Sequence, residues 1–321
     1  MRAKIIGTGS YLPEKIVTND DLSKMVETSD EWITTRTGIK ARRVTDYGTT
    51  TSDLAVNAAK KAIESSGINP LELDFIIVAT CTPDTLFPSV ACILQDRLGA
   101  KNAGALDVSA ACSGFNFALA TAASFIESGK YKNILVVGAD TLTKYLDWQD
   151  RNTCVLFGDG AGAVVLQATE EDCGILSSYL KAKGEGGQFL VMPGGGSKDP
   201  ELRNSRFINM NGKEVFKFAV KALEESVVEA LKLAHLELED IDFLIPHQAN
   251  IRIIDHVLKK FNLPKDKVYV NLQNYGNTSA ASVSIALDEA VKINKIKKGD
   301  IVVLSGFGAG LTYAANVLKW G

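Results

Sequence analysis

The sequence contains few of the residues that build disulfide frameworks and zinc sites. Five cysteines occur in 321 residues, and none of them forms a Cys-x-x-Cys pair. An odd number of scattered thiols is typical of reduced intracellular proteins. We therefore expect neither a disulfide framework nor a metal site.

Long apolar runs and a large net charge are also missing. No run approaches the roughly 20 apolar residues that span a bilayer, and the stretch MRAKIIGTGSYLP breaks at glycines, unlike a signal peptide. The net charge of −3 argues against nucleic acid binding over the whole surface. The content of 46% hydrophobic and 23% charged residues is ordinary for a soluble enzyme. Taken with the charge and the short apolar runs, it leads us to expect a soluble cytoplasmic protein that binds no nucleic acid and inserts into no membrane.

Two parts of the chain share one layout. Residues 52–80 and 216–250 each contain an amphipathic helix pattern, a short acidic turn and an apolar strand that opens with Asp-Phe. Residues 113–140 and 279–308 each begin with small residues and continue through a helix and a lysine-rich turn into a β-branched strand. These matches indicate an internal duplication.

A third match supports the duplication. A glycine turn feeds a closing strand at 158–168 and again at 308–318. Any two α/β units look partly alike, but three matches in one order favour a repeat. Strands that alternate with helices predict mostly parallel sheets with crossover helices. We predict two pseudo-equivalent sheets, with one half over residues 1–170 and the other over 171–321.

One cysteine lies in an unusual setting. Cys112, in ALDVSAACSGFNFAL, follows a strand-like run and small residues and precedes an apolar helix pattern. At the start of a helix, unpaired N–H groups and the helix dipole favour a thiolate and can lower its pKa from roughly 8.5 toward 7. We interpret Cys112 as a nucleophile. The other cysteines are interpreted as buried and unreactive, namely Cys81, Cys92, Cys154 and Cys173.

Two polar residues of the second half are candidates for the same site. His247 ends the apolar strand FLIPH, whereas His235 and His256 are interpreted as helix residues at the surface or the core edge. Asn277 lies in Gly-Asn-Thr-Ser at the corner that matches that of Cys112, although this sequence is equally typical of a turn or a helix cap. Because ligands of open α/β sheets bind at the carboxyl ends of strands, we expect Cys112, His247 and Asn277 to meet in one cleft.

The glycine-rich segments do not indicate a dinucleotide site. A Rossmann fingerprint needs a helix, a second strand and an acidic residue about 20 residues on. GFGAG (306–310) is followed by only eleven residues, which excludes this reading. A tight glycine loop can still present backbone N–H groups to an oxyanion.

Several motifs together resemble the β-ketoacyl-[acyl-carrier-protein] synthase III family. They are DVSAACSGF, PHQANIRI, GNTSAAS, GFGAG, DEWITTRTGI and DRNTCVLFGDGAG, and the resemblance runs from end to end. It implies a thiolase-like, duplicated αβαβα five-layered fold with two mixed sheets. It also implies that Cys112 accepts the acyl group, that His247 and Asn277 serve the decarboxylating half-reaction, and that the N–H groups of Cys112 and Ala309 form the oxyanion hole.

The resemblance implies binding residues as well. Trp32 and Arg151 resemble the residues that sandwich the adenine of coenzyme A, and Arg36 and Asn250 resemble contacts along its arm. Phe87 resembles the residue that caps the acyl pocket across a homodimer interface. A local basic group would steer an acidic carrier protein, although such residues can equally form a solvated helix face. This docking group has two parts. The resemblance implies a docking stretch of Gln248, Ala249, Asn250, Ile251 and Arg252, and Lys217, Arg252, Lys259 and Lys260 supply the positive charge.

The implied reaction is the initiating condensation of type II fatty acid synthesis. An acyl-coenzyme A primer and malonyl-[acyl-carrier-protein] would give 3-oxoacyl-[acyl-carrier-protein], coenzyme A and carbon dioxide, with no metal or redox cofactor. The Cys-His-Asn set also fits a thioester hydrolase. It further fits synthases of plant polyketide or hydroxymethylglutaryl type, but the short chain and the docking stretch argue against these synthases. The sequence does not rank the acyl primers, although Leu86 and Phe87 are candidates for the pocket wall.

Overall fold

The computed structural model describes residues 1–203 and 205–321. Its strands are β1 (Arg2–Tyr11), β2 (Ile16–Thr18), β3 (Ala41–Arg43), β4 (Phe75–Ala79), β5 (Gly104–Val108), β6 (Asn133–Thr141), β7 (Asp159–Thr169), β8 (Gly174–Ala182), β9 (Leu190–Val191), β10 (Asn209–Met210), β11 (Phe243–Pro246), β12 (Ile301–Gly308) and β13 (Thr312–Lys319). Its α-helices are α1 (Asn19–Ser23), α2 (Asp30–Thr37), α3 (Thr51–Ser66), α4 (Val90–Arg97), α5 (Gly114–Glu127), α6 (Gly212–Leu233), α7 (Ile251–Phe261), α8 (Leu272–Tyr275) and α9 (Ser282–Lys292).

Two mixed sheets form the framework. The first has the order β1-β7-β6-β4-β5, in which β4 is parallel to β5 and β6, and β7 is antiparallel to β1 and β6. The second has the order β11-β12-β13-β8, in which β11 is parallel to β12, and β13 is antiparallel to β12 and β8. The prediction of mostly parallel pairing was therefore too simple, because the closing strands of each half return antiparallel.

The sheets use separate stretches of the chain. The strands of the first sheet lie between residues 2 and 169, and those of the second lie between residues 174 and 319. The division of the chain into units 1–170 and 171–321 stays a prediction, because helices of both stretches pack against each other in the centre.

Helices α5 and α9 form the middle layer between the sheets. Phe115 and Leu119 of α5 and Val283 and Leu287 of α9 share one buried cluster with strand residues of both sheets. Helices α3 and α4 cover the outer face of the first sheet, and α6 and α7 cover that of the second. The layers therefore follow the order α, β, α, β, α, which confirms the five-layered thiolase-like architecture.

The helix sequences fit their layers. The middle helix α5 reads GFNFALATAASFIE, with apolar and small residues all round, as a helix buried on both sides requires. The outer helix α3 has one polar face, begins at the N-cap Thr50 and ends at Gly67, whose φ is 73°. None of the helices in the described part of the chain combines the length and the apolar character that crossing a bilayer needs.

The two halves repeat one unusual corner. Ala111 has a φ of 47° and begins a 3-10 turn that leads into α5. Ser279 has a φ of 52° and begins a 3-10 turn that leads into α9. Residues other than glycine rarely adopt this conformation, so its repetition supports the duplication. In this match the counterpart of Cys112 is Ala280, and Asn277 lies just before the turn.

Candidate active site

Cys112 lies in the 3-10 turn between β5 and α5. Its side chain is buried, and it lines a cavity of about 190 Å³ and a second cavity of about 80 Å³. Phe157 and Leu190 also line both. A group attached to the Cys112 sulfur could therefore extend into either cavity.

The larger cavity brings the three candidate residues together. His247 directly follows β11, Asn277 precedes the corner at Ser279, and both line the 190 Å³ cavity with Cys112. All three side chains are buried. The structure thus places these residues in one cleft, as the sequence analysis expected, while their chemical roles stay predictions.

His247 is held firmly and is neutral. Its backbone N–H donates to the carbonyl oxygen of Ser305 at 2.7 Å. In the ring, Nδ1 lies 2.6 Å from Oγ of Ser282, and the ring packs edge to face against Phe307 with 5.0 Å between centroids. Burial lowers the pKa of His247 to about 3, since desolvation disfavours the charged imidazolium. Within residues 1–203 and 205–321, neither His247 nor Cys112 belongs to a group of side chains that could hold a metal ion.

Asn277 is fixed through its backbone and its side-chain oxygen. Its N–H donates to the carbonyl oxygen of Leu156 at 2.8 Å, and its own carbonyl oxygen accepts from the N–H of Gly158 at 3.0 Å. Its Oδ1 accepts from the N–H of Ser279 at 2.8 Å. Because Oδ1 is engaged there, the Nδ2 amide is the end that can donate to the Cys112 sulfur or to a substrate.

The thiol pKa contradicts the expectation of a lowered value. Burial raises the pKa of Cys112 to about 12, and the Asp140 carboxylate adds to the rise. Hydrogen bonds from Ser279 and Asn277 lower the pKa but do not compensate for burial. Helix α5 begins only at Gly114, so desolvation outweighs the helix N-terminus for this sulfur. Cys112 is therefore a thiol at neutral pH.

The end of β12 packs directly on the Cys112 backbone. A Cβ added at Gly308 would lie 2.5 Å from the backbone nitrogen of Cys112, so this close approach requires glycine. Ala309 lines the smaller cavity and has no left-handed φ, so its methyl group is accommodated without backbone strain. The Thr312 hydroxyl lies 2.8 Å from the carbonyl oxygen of Ala309 and 3.0 Å from that of Ala110. This places the two proposed oxyanion-hole loops side by side.

The smaller cavity could not be predicted from the sequence. Its mainly apolar walls come from separate segments, so no periodic pattern connects them, and they include Cys81, Leu142, Phe157, Leu190, Met192 and Ile208. Cys81 is half-buried rather than fully buried and lines this cavity. Burial raises the pKa of its thiol, and the expectation that it is unreactive stays a prediction. Cys92 is exposed, so the expectation that it is buried is wrong, while its reactivity stays untested.

The residues expected to bind coenzyme A form one connected group, which consists of Trp32, Arg36, Arg151 and Asn250. The guanidinium carbon of Arg36 lies 4.5 Å from the centroid of the Trp32 ring, and that of Arg151 lies 5.1 Å from it. The Nδ2 of Asn250 donates to the carbonyl oxygen of Arg36 at 3.0 Å, and Asn250 lines the larger cavity. Because Arg151 already contacts the ring, a flat base can enter between them only if the guanidinium moves away.

The basic residues of the proposed docking group are exposed on α6 and α7. Lys217 pairs with Glu214 at 2.8 Å, and Lys260 approaches Glu224 at 3.5 Å. Surface pairs of this kind contribute little to stability, so these side chains can exchange partners. The exposed set is Lys217, Arg252, Lys259 and Lys260.

The side chain of Gln248 lies inside the protein rather than on its surface. Its side chain is 1% exposed, and its Nε2 donates to the carbonyl oxygens of Pro246 and Tyr269. The amide thus supports the loop from inside and offers a partner almost no side-chain surface, while the place of Gln248 in the docking stretch stays a prediction. Ala249 and Ile251 are half-buried and offer a partner little side-chain surface.

Phe87 lies outside both cavities in the single chain. Its side chain is 85% exposed, and that of neighbouring Leu86 is 81% exposed. Neither cavity has Phe87 in its wall. A role in the acyl pocket therefore requires a second chain and stays a prediction.

Comparisons with known families agree with this geometry. The model of the 3-oxoacyl-[acyl-carrier-protein] synthase III family matches residues 106–184, and the model of its C-terminal part matches residues 231–320. The chain is 59% identical to the β-ketoacyl-[acyl-carrier-protein] synthase III of Caldanaerobacter subterraneus subsp. tengcongensis, over 99% of this chain and 98% of that protein. The sequence-based resemblance is thereby confirmed.

Experimental structures show the same similarity. The 3-oxoacyl-[acyl-carrier-protein] synthase III from Aquifex aeolicus VF5 has a TM-score of 0.94 and 50% identity, over 99% of this chain and 100% of that chain. The priming β-ketosynthase of the R1128 polyketide pathway has a TM-score of 0.93 and 37% identity, over 99% and 96%. The chain therefore belongs to the β-ketoacyl-[acyl-carrier-protein] synthase III family, and it is an acyltransferase-type condensing enzyme of the initiating step of type II fatty acid synthesis.

Proposed function

We propose that the chain condenses an acyl-coenzyme A primer with malonyl-[acyl-carrier-protein], and that Cys112 carries the acyl group between the two steps. The observation that carries this proposal is that Cys112, His247 and Asn277 line one cavity although they are far apart in sequence. The products are 3-oxoacyl-[acyl-carrier-protein], coenzyme A and carbon dioxide.

In the first step, the Cys112 sulfur attacks the carbonyl carbon of the primer thioester. The pKa of about 12 for Cys112 and of about 3 for His247 make a resting thiolate–imidazolium pair unfavourable. The thiol therefore loses its proton while the new C–S bond forms. The bond between the acyl carbon and the coenzyme A sulfur then breaks, and that sulfur takes the proton and leaves as a thiol. The N–H groups of Cys112 and Ala309 stabilise the oxyanion of the tetrahedral intermediate, and the covalent acyl-enzyme divides one difficult transfer into two easier ones.

In the second step, malonyl-[acyl-carrier-protein] enters the larger cavity and loses carbon dioxide. The electron pair of the broken C–C bond forms an enolate, whose oxygen accepts hydrogen bonds from His247 and from Nδ2 of Asn277. Each such donor contributes roughly 3–4 kcal/mol to transition-state stabilisation in comparable sites. The enolate carbon then attacks the acyl-Cys112 carbonyl. The Cys112 sulfur leaves as a thiolate and takes up one proton from water, so the net condensation consumes one proton.

The smaller cavity would hold the acyl chain of the primer. Its volume is about 80 Å³, and Leu142, Phe157 and Ile208 contribute apolar walls, so we expect short primers of a few carbon atoms. One methylene group changes selectivity in such a pocket by about 1–3 kcal/mol, so substitutions in these walls should change the primer preference.

We also propose the assembly and the location of the enzyme. The adjacent exposed side chains of Leu86 and Phe87 would be covered in a homodimer, since large apolar side chains are rarely left together in water. Arg252, Lys217, Lys259 and Lys260 would meet the acidic carrier protein in the cytoplasm, and Trp32 and Arg151 would hold the adenine of coenzyme A.

Mass spectrometry of the intact protein tests the proposal. After exposure to a mixed panel of acyl-coenzyme A esters, the wild type should carry one acyl group, the Cys112→Ala variant should carry none, and added malonyl-[acyl-carrier-protein] should discharge the adduct as a 3-oxoacyl product. Continuous release of free acid without malonyl would instead show a hydrolase and overturn the proposal.

A further inference from the structure

A buried serine contacts the edge of His247 that points away from the cavity. Ser282 is the first residue of α9, its side chain is 1% exposed, and its Oγ lies 2.6 Å from Nδ1 of His247. His247 lines the larger cavity, whereas Ser282 does not. The Nδ1 edge of the imidazole therefore faces the protein interior, and Nε2 is the nitrogen on the cavity side.

The direction of this hydrogen bond follows from the other partners of the serine oxygen. The backbone N–H of Gln248 also donates to Oγ of Ser282, at 3.5 Å. Among the hydrogen bonds of the described residues, Nδ1 of His247 is the one acceptor near the serine O–H. If Nδ1 carried a proton, this O–H would be buried without an acceptor, which proteins avoid. The serine O–H therefore donates to Nδ1.

The position of the imidazole proton follows in turn. Burial keeps His247 neutral by lowering its pKa to about 3, and a neutral imidazole carries one proton. Because Nδ1 accepts from Ser282, that proton resides on Nε2. The edge-to-face contact with Phe307 holds the ring plane, so the Nε2–H direction is set from both sides.

We propose that Ser282 is a positioning residue that keeps His247 in the Nε2–H tautomer, with this N–H directed at the carbonyl oxygen of the malonyl thioester. The proposal rests on the proposed function. Loss of carbon dioxide places charge on that oxygen and requires a fixed donor, whereas the attack of Cys112 on the primer requires no donor from His247. Ser282 should therefore control condensation and not acylation.

Nitrogen-15 NMR of the wild-type protein tests the tautomer without any substrate. The chain has three histidines, so the resonances of His247 can be assigned by comparison with the His247→Asn variant. We expect an unprotonated Nδ1 and a protonated Nε2. A protonated Nδ1 would overturn the proposal. This readout is independent of turnover, so an enzyme that failed to condense would refute the proposed function while leaving the tautomer measurable.

Three variants test the consequence. Ser282→Ala should slow malonyl decarboxylation and condensation through kcat rather than KM. We expect about 10- to 100-fold, the loss that follows when the hydrogen-bond partner that orients a metal-ligating histidine is removed. Acylation of Cys112 should stay within about threefold, and Ser282→Thr should restore activity because it keeps the hydroxyl. Ser284→Ala is the matched control, since Ser284 is equally buried on α9 and donates to the carbonyl oxygen of Ala281. Equal losses of acylation and condensation in Ser282→Ala, or the same loss in Ser284→Ala, would overturn the proposal. If Ser282→Ala does not fold, the NMR measurement on the wild type decides.

Discussion

A methyl group at Gly308 should disable the acylation step. The added Cβ of Gly308→Ala would lie 2.5 Å from the backbone nitrogen of Cys112 and 3.1 Å from its Cα, whereas ordinary contact begins at 3.4 Å. The neighbouring atoms are the backbone and the Cβ of Cys112, which no side-chain rotation moves away, so one of the two segments must move by roughly 0.9 Å. A displacement of about 1 Å in a catalytic constellation costs about 100-fold in rate, and loss of one oxyanion-hole donor costs about 10²–10³-fold.

The assay is single-turnover acylation of Cys112, followed by quenching and mass spectrometry of the intact protein. We expect Gly308→Ala to acylate at least about 100-fold more slowly than the wild type, and circular dichroism should verify that it folds. Gly184→Ala is the control, because a Cβ at this position would meet no atom within 4 Å. Acylation by folded Gly308→Ala within about threefold of wild type would refute the idea that the tight contact of this segment with Cys112 builds the oxyanion hole.

Three further predictions concern the roles of other residues. His247→Ala and Asn277→Ala should allow acylation of Cys112 and slow condensation by about 10²–10³-fold, because each removes one donor to the enolate; a variant that no longer acylates would contradict this division. Arg151→Ala should raise the KM for acyl-coenzyme A about 5- to 10-fold by removing a cation from beside Trp32, and an acyl-pantetheine substrate without the nucleotide should show no such change. Finally, the pKa of His247 is lowered to about 3 in the folded protein. As the pH falls below about 6.5, the imidazole is protonated in the unfolded chain but stays neutral in the folded protein. The free energy of unfolding therefore falls by up to about 1.4 kcal/mol per pH unit. Urea unfolding of His247→Asn should lack this contribution, and identical slopes in both proteins would exclude it.

A buried carboxylate joins the two halves of the chain behind the nucleophile. Asp140 is fully buried at the end of β6 and accepts hydrogen bonds from the backbone N–H groups of Cys81 and Ala280 at 2.8 and 3.2 Å, and from the Thr82 hydroxyl at 2.9 Å. Burial raises the pKa of Asp140, and its carboxylate contributes to the raised pKa of Cys112. Asp140 therefore connects the segment after β4 to the corner at Ala280, and its charge disfavours a resting thiolate at Cys112.

Local patterns in the sequence are enough to predict the repeating plan and the positions of the key residues along it. The Asp-Phe openings of two apolar runs predict strands, and β4 and β11 begin at Phe75 and Phe243. The small residues around Cys112 and after Asn277 predict helix starts, and α5 and α9 follow them. These predictions succeed because the periodicity and the turn residues depend on neighbours within a few positions of the chain.

The chemistry of the site depends on contacts that form when the two halves of the chain assemble. The raised pKa of Cys112 is due first to desolvation by residues from other segments, and no local pattern at the start of α5 reports it. Ser282 meets His247 across 35 residues, and Gly138 of β6 is needed because an added Cβ would lie 2.2 Å from the carbonyl oxygen of Ala280. The inward orientation of Gln248 likewise depends in part on the bond of its Nε2 to the carbonyl oxygen of Tyr269, 21 residues away. Burial and close packing are properties of the assembled halves, so the residues could be found from the sequence, while their protonation and hydrogen-bond partners could not.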